Sequence, residues 1–485
     1  MKLEQLMEGV PYTLVQGSPE TEINDIIYDS RKAAPGLLFV CIVGTQRDSH
    51  EFAADCAAKG VRALVIQHDI DLTAVPGVTV VKVESSRYAM ALMSANLFGN
   101  PSRKMTMIGV TGTKGKTTTT HMIKSVLEAA GRKVGMIGTN GIYYMGHHKD
   151  TANTTPESYE LQKTFREFLD AGCDTALMEV SSQGLMMDRV AGVHYDVGVF
   201  TNLTQDHLDF HKTMESYCDA KAILFRNCSV GVVNADDPWT PRLLKDAACR
   251  VMTYAERAEA DLRAEHIALS ADGIAFDAVT ETERVPVRVH IPGGFMVYNT
   301  LDVLGAALAL GIPLKDSAAV LAGVPHVQGR VEVVPTPGKD YTILIDYAHT
   351  PDSMVNVLRT VKEFAKGRTV AVFGCGGDRD RTKRPLMGKA AADWSDFAVV
   401  TTDNPRTEQP EAIIEEILPG FAGSATPYQV VVDRVEAIHW AMDHAQKEDV
   451  IVLCGKGHET YQEINHKKYH MDEREIVADY LKSGH

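Results

Sequence analysis

Between residues 112 and 118 the chain reads Gly-Thr-Lys-Gly-Lys-Thr-Thr, one residue after the strand-like run Met105–Val110 and leading into a helix-patterned stretch. A glycine-rich turn where strand passes to helix lets backbone N–H groups close around phosphate oxygens, and the helix N-terminus adds positive potential. Gly112, Thr113, Lys114, Gly115 and Thr118 are therefore candidates for the phosphate cradle, Lys116 for the terminal phosphates, and the Thr117 hydroxyl for a bound Mg²⁺. The strict spacing G-x-x-x-x-G-K-[ST] is not met, because Val110 stands at its first glycine. The alternative is a ligand-free glycine turn; the strand-to-helix context favours a nucleotide. The loop does not specify the reaction.

Three further residues carry groups suited to the same chemistry. Glu179 closes the apolar run Ala176-Leu177-Met178, at the carboxyl edge of a strand, where open α/β sheets bind ligands. A carboxylate there either holds Mg²⁺ opposite Thr117 or caps the helix that follows Val180-Ser181. His207 lies in an acidic loop with Asp206, Asp209 and His211, at a spacing that is no zinc signature. Lys221 sits in the helix-like run Ser216–Phe225, where sequence physics alone makes it a solvated surface charge.

Such groups need sheets to hold them, and the pattern supplies them. Strands are expected at 36–43, 61–66, 105–110, 176–180, 197–200, 230–233, 342–345, 369–373, 398–401 and 450–453, with helices at 50–59, 117–130 and 352–366 among those between them. A polar β-like stretch over 261–289 reads as a hairpin insert. Alternating strands and helices imply mostly parallel, doubly wound sheets. With 485 residues, 45% hydrophobic and 23% charged, the composition is globular, and at ~100–200 residues per domain it suggests three. The boundaries are placed at 1–100, 101–329 and 330–485. A net charge of −15 argues against a chain that coats nucleic acid. No apolar leader or membrane span is evident, and the eight cysteines are scattered without a C-x-x-C pair. A cytoplasmic monomer with no membrane partner is expected.

Further motifs occur in a fixed order along the chain: Asp29-Ser30-Arg31, Asn153-Thr154-Thr155-Pro156, Glu179-Val180-Ser181-Ser182, Asp206-His207-Leu208-Asp209, Ala220-Lys221, Gly329-Arg330, Asp346-Tyr347-Ala348-His349, Gly376-Gly377-Asp378-Arg379, Asp403-Asn404-Pro405-Arg406 and Gly455-Lys456-Gly457-His458-Glu459. With the phosphate loop, this ordered set resembles the Mur ligases, ATP-dependent amide-forming enzymes of peptidoglycan precursor synthesis. Within that family it looks like the class that adds the third stem-peptide residue to UDP-N-acetylmuramoyl-L-alanyl-D-glutamate. Four positions depart from the usual pattern: Lys114, Gln183, Asp48-Ser49-His50 and Met296. Folylpolyglutamate synthetases share the ligase core but carry the phosphate loop near the N-terminus, and no N-K-x-D motif supports a GTPase.

The resemblance implies an N-terminal UDP-binding α/β domain, a central phosphate-loop domain and a C-terminal Rossmann-like domain. It implies Lys116, Glu179, His207 and Lys221 as the catalytic set, with Thr117, Glu179, His207 and a carbamylated Lys221 holding Mg²⁺, the carbamate coming from CO₂. Asn299, Arg330 and Asp346 would complete the ATP site. Ser30, Thr154, Thr155, Ser181 and Arg189 would hold the UDP-sugar dipeptide. Arg379, Asp403, Asn404, Pro405, Arg406, Gly455 and Glu459 would bind meso-2,6-diaminopimelate, with Arg406 gripping its second carboxylate. The other readings are the same ligation with L-lysine or another diamino acid, and a non-catalytic nucleotide-binding protein.

Overall fold

The structure, a computed structural model, describes residues 1–44, 47–270, 272–324, 329 and 331–483. The chain divides into two compact units, Met1–Leu262 with Asp302–Ser317, and Arg263–Leu301 with Ala318–His485.

The first unit holds two sheets. The N-terminal one has five strands in the order Thr13–Gln16, Thr79–Lys82, Ala63–Ile66, Leu37–Val40 and Asp25–Ile27; all are parallel except the first. The larger one runs Arg250–Ala255, Cys228–Asn234, Tyr195–Phe200, Thr106–Thr111, Thr175–Glu179 and Val134–Gly138 in parallel, then turns back through Gly141–Tyr144 and His147–Lys149. Its centre, Thr106–Thr111, is buried almost throughout, as a parallel strand covered on both faces must be. The chain leaves this strand toward one side of the sheet and later returns to the other, so a topological switch point lies at its carboxyl end. Helix Lys116–Ala129 starts there and buries Met122, Ile123, Val126 and Leu127, a single apolar face at helical spacing.

In the second unit Leu262–Ser270, Gly273–Val279 and Arg284–Val289 form an antiparallel meander. Six strands follow in the order Glu332–Val334, Thr342–Asp346, Val450–Cys454, Thr369–Phe373, Phe397–Val400 and Tyr428–Val430, parallel except the first. A two-stranded ribbon, Tyr461–Ile464 with Lys467–His470, completes it.

Two local expectations change. The stretch 261–289 is three strands, not a hairpin, its last strand alternating exposed and buried. The helix expected over 50–59 opens as a 3₁₀ turn, Ser49–Phe52, because the Asp48 carboxylate accepts the His50 N–H and sets a tight start; the α-helix is Ala53–Ala58. No helix among the described residues is long and apolar enough to cross a membrane.

Candidate active site

The glycine turn sits at the switch point. Gly115 adopts φ 87° as the N-cap of Lys116–Ala129, a conformation open to glycine at no steric cost. Gly112 approaches the next strand's end so closely that a Cβ would lie 1.9 Å from Thr201 Oγ1. The loop is tied to residues 201–204 from both directions. Thr113 N–H donates to Asn202 O at 2.9 Å, Lys114 N–H donates to Asn202 Oδ1 at 3.1 Å, and the Thr201 hydroxyl donates to Lys114 O at 2.7 Å. Lys116 Nζ donates to the loop's own carbonyls, Gly112 O at 2.9 Å and Thr113 O at 3.0 Å. Its ammonium is thus folded back onto the glycine turn.

Glu179 is 1% exposed at the end of its strand. Its Oε1 accepts from Thr117 Oγ1 at 3.0 Å and from Thr139 N–H at 2.9 Å, and its Oε2 from Thr139 Oγ1 at 3.1 Å. The helix-cap alternative fails, because Ser181 supplies that cap through Gly184 N–H. Adjacent ligand oxygens of an octahedral Mg²⁺ with ~2.1 Å bonds lie ~3.0 Å apart, which is the separation of Thr117 Oγ1 and Glu179 Oε1. The pair therefore fits the metal.

Lys221 is not a surface charge. It is 1% exposed, and its Nζ donates to Gly112 O at 2.9 Å and lies 4.5 Å from the centre of the Tyr217 ring. Burial drives its amine well below the ordinary lysine value, and the Lys116 cation adds to the effect. The local cause is Thr213, which caps helix Met214–Arg226 through Ser216 N–H and so fixes which face turns inward. Tyr217, one turn before Lys221, is the residue that sequence reasoning missed. Its hydroxyl is 3.2 Å from Thr113 Oγ1, its ring stacks on His211 at 4.8 Å, and His207 meets it edge-on at 6.1 Å. The only signal for it was the four-residue spacing to Lys221. His207 itself is exposed, at φ 52°, whereas His211 is buried with Nε2 2.8 Å from Ser182 Oγ.

Around the same sheet edge, Thr154 Oγ1 is 3.0 Å from Thr139 Oγ1, and Thr155 Oγ1 bridges Glu179 O and Ser181 N–H at 2.9 Å each. Arg189 donates to Thr155 O at 3.0 Å and pairs with Glu157 at 2.8 Å, bracing that loop. Ser30 stands apart on the one-turn helix Ser30–Lys32, where its carbonyl accepts from Lys59 Nζ at 3.1 Å.

The remaining expected residues belong to the second unit. Asn404 is a hub there: its Oδ1 accepts from Lys456 Nζ and Glu463 N–H, both at 2.8 Å, and its Nδ2 donates to Glu459 Oε2 at 2.9 Å. Lys456, fully buried, also donates to Glu459 Oε2 at 2.8 Å. Arg406 and Arg379 flank Gly376, Arg406 with Nη1 3.0 Å from the position of a Cβ there and Arg379 with Cγ 3.6 Å from it. Asp403 and Pro405 shape the turn, Asp403 packing its Oδ2 over Gly455 and Pro405 its carbonyl against Gly377. Asn299 is buried with Nδ2 3.6 Å from Met296 Sδ, and Asp346 Oδ2 accepts from Val331 N–H at 2.9 Å. Arg330 lies outside the described residues. Lys456 and Glu463 were not among the expected contacts.

Comparison with known proteins gives the family. Residues 110–307 match the Mur ligase middle domain and residues 329–457 the glutamate ligase domain of Mur ligases. The UDP-N-acetylmuramoyl-L-alanyl-D-glutamate--2,6-diaminopimelate ligase of Clostridium botulinum is 45% identical over 99% of this chain and 100% of its own, and a ligase of the same name from Clostridium acetobutylicum is 46% identical over 99% of each. A solved structure of a ligase of that name superposes with a TM-score of 0.76 at 30% identity, covering 100% of this chain and 99% of the other. The Thermotoga maritima MurF ligase in complex with ADP, at 17% identity over 96% and 97%, shares the fold with a TM-score of 0.59.

Proposed function

The chain belongs to the Mur ligase family, and from that premise we propose that it joins meso-2,6-diaminopimelate to UDP-N-acetylmuramoyl-L-alanyl-D-glutamate with ATP as phosphoryl donor, in the cytoplasmic synthesis of peptidoglycan precursors. Relatives that carry this name match it from end to end at 45% and 46% identity. It acts as a monomer of three domains, 1–100, 101–329 and 330–485, for the UDP-sugar, ATP and the incoming amino acid.

The substrate's D-glutamate side-chain carboxylate attacks the γ-phosphorus of ATP, ADP leaves, and an acyl phosphate forms. The amino group of diaminopimelate then attacks that carbonyl, and phosphate leaves. Lys116 turns from the loop carbonyls to the transferring phosphoryl group, whose charge it neutralises. Thr117, Glu179, His207 and Lys221 as its carbamate would hold Mg²⁺, which would supply further positive charge against the phosphate oxygens. The lowered value of the Lys221 amine favours the neutral form that carbamylation needs: nitrogen bonds to the carbon of CO₂ and loses a proton, turning an amine into an oxygen ligand. The backbone N–H groups of residues 112–118 cradle the phosphates, while Asn299, Arg330 and Asp346 serve the rest of ATP. Ser30, Thr154, Thr155, Ser181 and Arg189 hold the UDP-sugar dipeptide.

The choice of amino acid is carried by one observation: Arg406 lies two residues beyond Asn404, and Asn404 holds Glu459 at 2.9 Å. A cation for a carboxylate thus stands on the turn whose Asn404 holds an anion for an ammonium, matching the zwitterionic far end of diaminopimelate, with Arg379 assisting. Lysine offers only the ammonium. Steady-state phosphate release with each amino acid tests this. Diaminopimelate is expected to give much the higher kcat/KM, and Arg406→Ala to raise its KM about 10–100-fold while sparing that of ATP. Comparable kcat/KM for lysine and diaminopimelate in the unmutated enzyme would overturn the assignment.

A further inference from the structure

Beside the guanidinium assigned to the substrate carboxylate stands an acidic side chain that the reaction does not require. Glu463, on strand Tyr461–Ile464, accepts from Arg406 Nε at 3.0 Å, and the two side chains are 22% and 19% exposed. The arginine is otherwise held by backbone. Its Nη1 donates to Gly377 O at 2.8 Å, its N–H donates to Glu463 O at 3.0 Å, and its carbonyl accepts from Asn465 N–H at 2.8 Å. Those last two bonds maintain Arg406 at φ 50°, a conformation few non-glycine residues adopt. Among the described residues Nη2 donates to no further partner. That end of the guanidinium is open to a ligand, while its charge is already shared with Glu463.

On the other side of Asn404, Lys456 and Glu459 form a second ion pair at 2.8 Å. Arg406 with Glu463 and Lys456 with Glu459 are thus already paired before any amino acid enters.

We infer that Glu463 is a specificity-determining residue: its carboxylate competes with the distal carboxylate of the incoming amino acid for Arg406, and so tempers the preference for diaminopimelate over lysine. This rests on the reaction proposed above. Two carboxylates on one guanidinium repel each other in a half-screened site. If the substrate instead displaces Glu463, the ion pair must first be broken, and the effect on affinity has the same sign. For lysine the consequence is opposite. Glu463 offsets the Arg406 charge that would repel the side-chain ammonium, and it leaves no cation unpaired when the carboxylate is missing.

The test compares Glu463→Gln and Glu463→Ala with the unmutated enzyme, measuring kcat and KM for diaminopimelate, lysine and ATP together with Tm. Glutamine keeps an acceptor for Arg406 Nε and removes only the charge; alanine removes both. In Glu463→Gln the diaminopimelate KM is expected to fall about fivefold while the lysine KM rises or holds, so that the ratio of the two kcat/KM values increases. The ratio is expected to increase in Glu463→Ala as well, with a smaller gain in KM because the arm is less well held. A residue that merely braces Arg406 predicts the reverse: glutamine indistinguishable from glutamate, and alanine raising the diaminopimelate KM. A ratio unchanged or lowered in both variants overturns the inference. The Arg406→Ala result separates this from the parent reading. If Arg406→Ala leaves the diaminopimelate KM unchanged, the subsite itself is wrong; if it raises KM but Glu463→Gln leaves the ratio unchanged, only the role of Glu463 is.

Discussion

Substituting Gly138 by alanine moves Glu179 without removing it. Gly138 ends the strand beside that of Glu179, and a Cβ there would lie 2.4 Å from Oε1, 3.0 Å from Cδ and 3.2 Å from Cγ. The residue has no positive φ, so alanine meets no backbone penalty, and only the carboxylate is in the way. Ordinary contact starts at 3.4 Å, so Oε1 must retreat by about 1 Å. That breaks or stretches its bonds from Thr117 Oγ1 and Thr139 N–H at 3.0 and 2.9 Å. Losing part of two hydrogen bonds to a charged acceptor costs on the order of 2 kcal/mol, or about 4–8 °C in Tm for a unit of this size. The catalytic loss is larger, because a 1 Å displacement of a catalytic group costs roughly 100-fold. Phosphate release with ATP, the UDP-linked dipeptide and diaminopimelate, titrated with Mg²⁺, should show kcat down about 100-fold and a higher Mg²⁺ midpoint. Metal-free ATP binding should change little. A Gly138→Ala enzyme with kcat within about threefold of normal and an unmoved Mg²⁺ midpoint would refute the metal role of Glu179.

Lys116→Ala is expected to abolish ligation with an unchanged circular dichroism spectrum, and near-normal turnover in that folded variant would remove Lys116 from the mechanism. Lys221→Ala should lose most activity and regain part of it with added short carboxylic acids, which replace the carbamate oxygens; a plain lysine in high-resolution density from an active, bicarbonate-treated preparation would argue against the modification. Stability should also report on His211, whose burial lowers its value from 6.5 to about 4. The unfolded chain then takes up a proton that the folded one refuses, so stability is full above pH 6.5 and falls as pH drops toward 4. Thermal melts of His211→Asn should decline less over that window than the unmutated protein, and parallel declines would contradict the assignment.

Features encoded by neighbours along the chain were legible. Strand, glycine turn and helix at 105–130 follow from an apolar run, two positive-φ positions and a 3.6-residue apolar repeat, all within one segment. Glu179 at a strand end followed from the same rule, and the ordered motifs carried the family. What the sequence could not determine was which groups meet across the fold. Lys221 reads as a surface charge because an isolated lysine on a helix is normally solvated; its burial was decided by the strands and by Tyr217, whose ring it covers. The approach of Gly138 to Glu179 joins strands that are neighbours only after the crossover helices have packed. Arg406 and Glu463 lie 57 residues apart, and Glu463 stands in a short ribbon whose partner strand is fully exposed, so in sequence it resembles any solvated charge. Local pattern follows from backbone geometry and side-chain periodicity, which act over a few residues. The charge balance of a pocket depends on distances of ~3 Å between distant segments, and only the packed sheets set those.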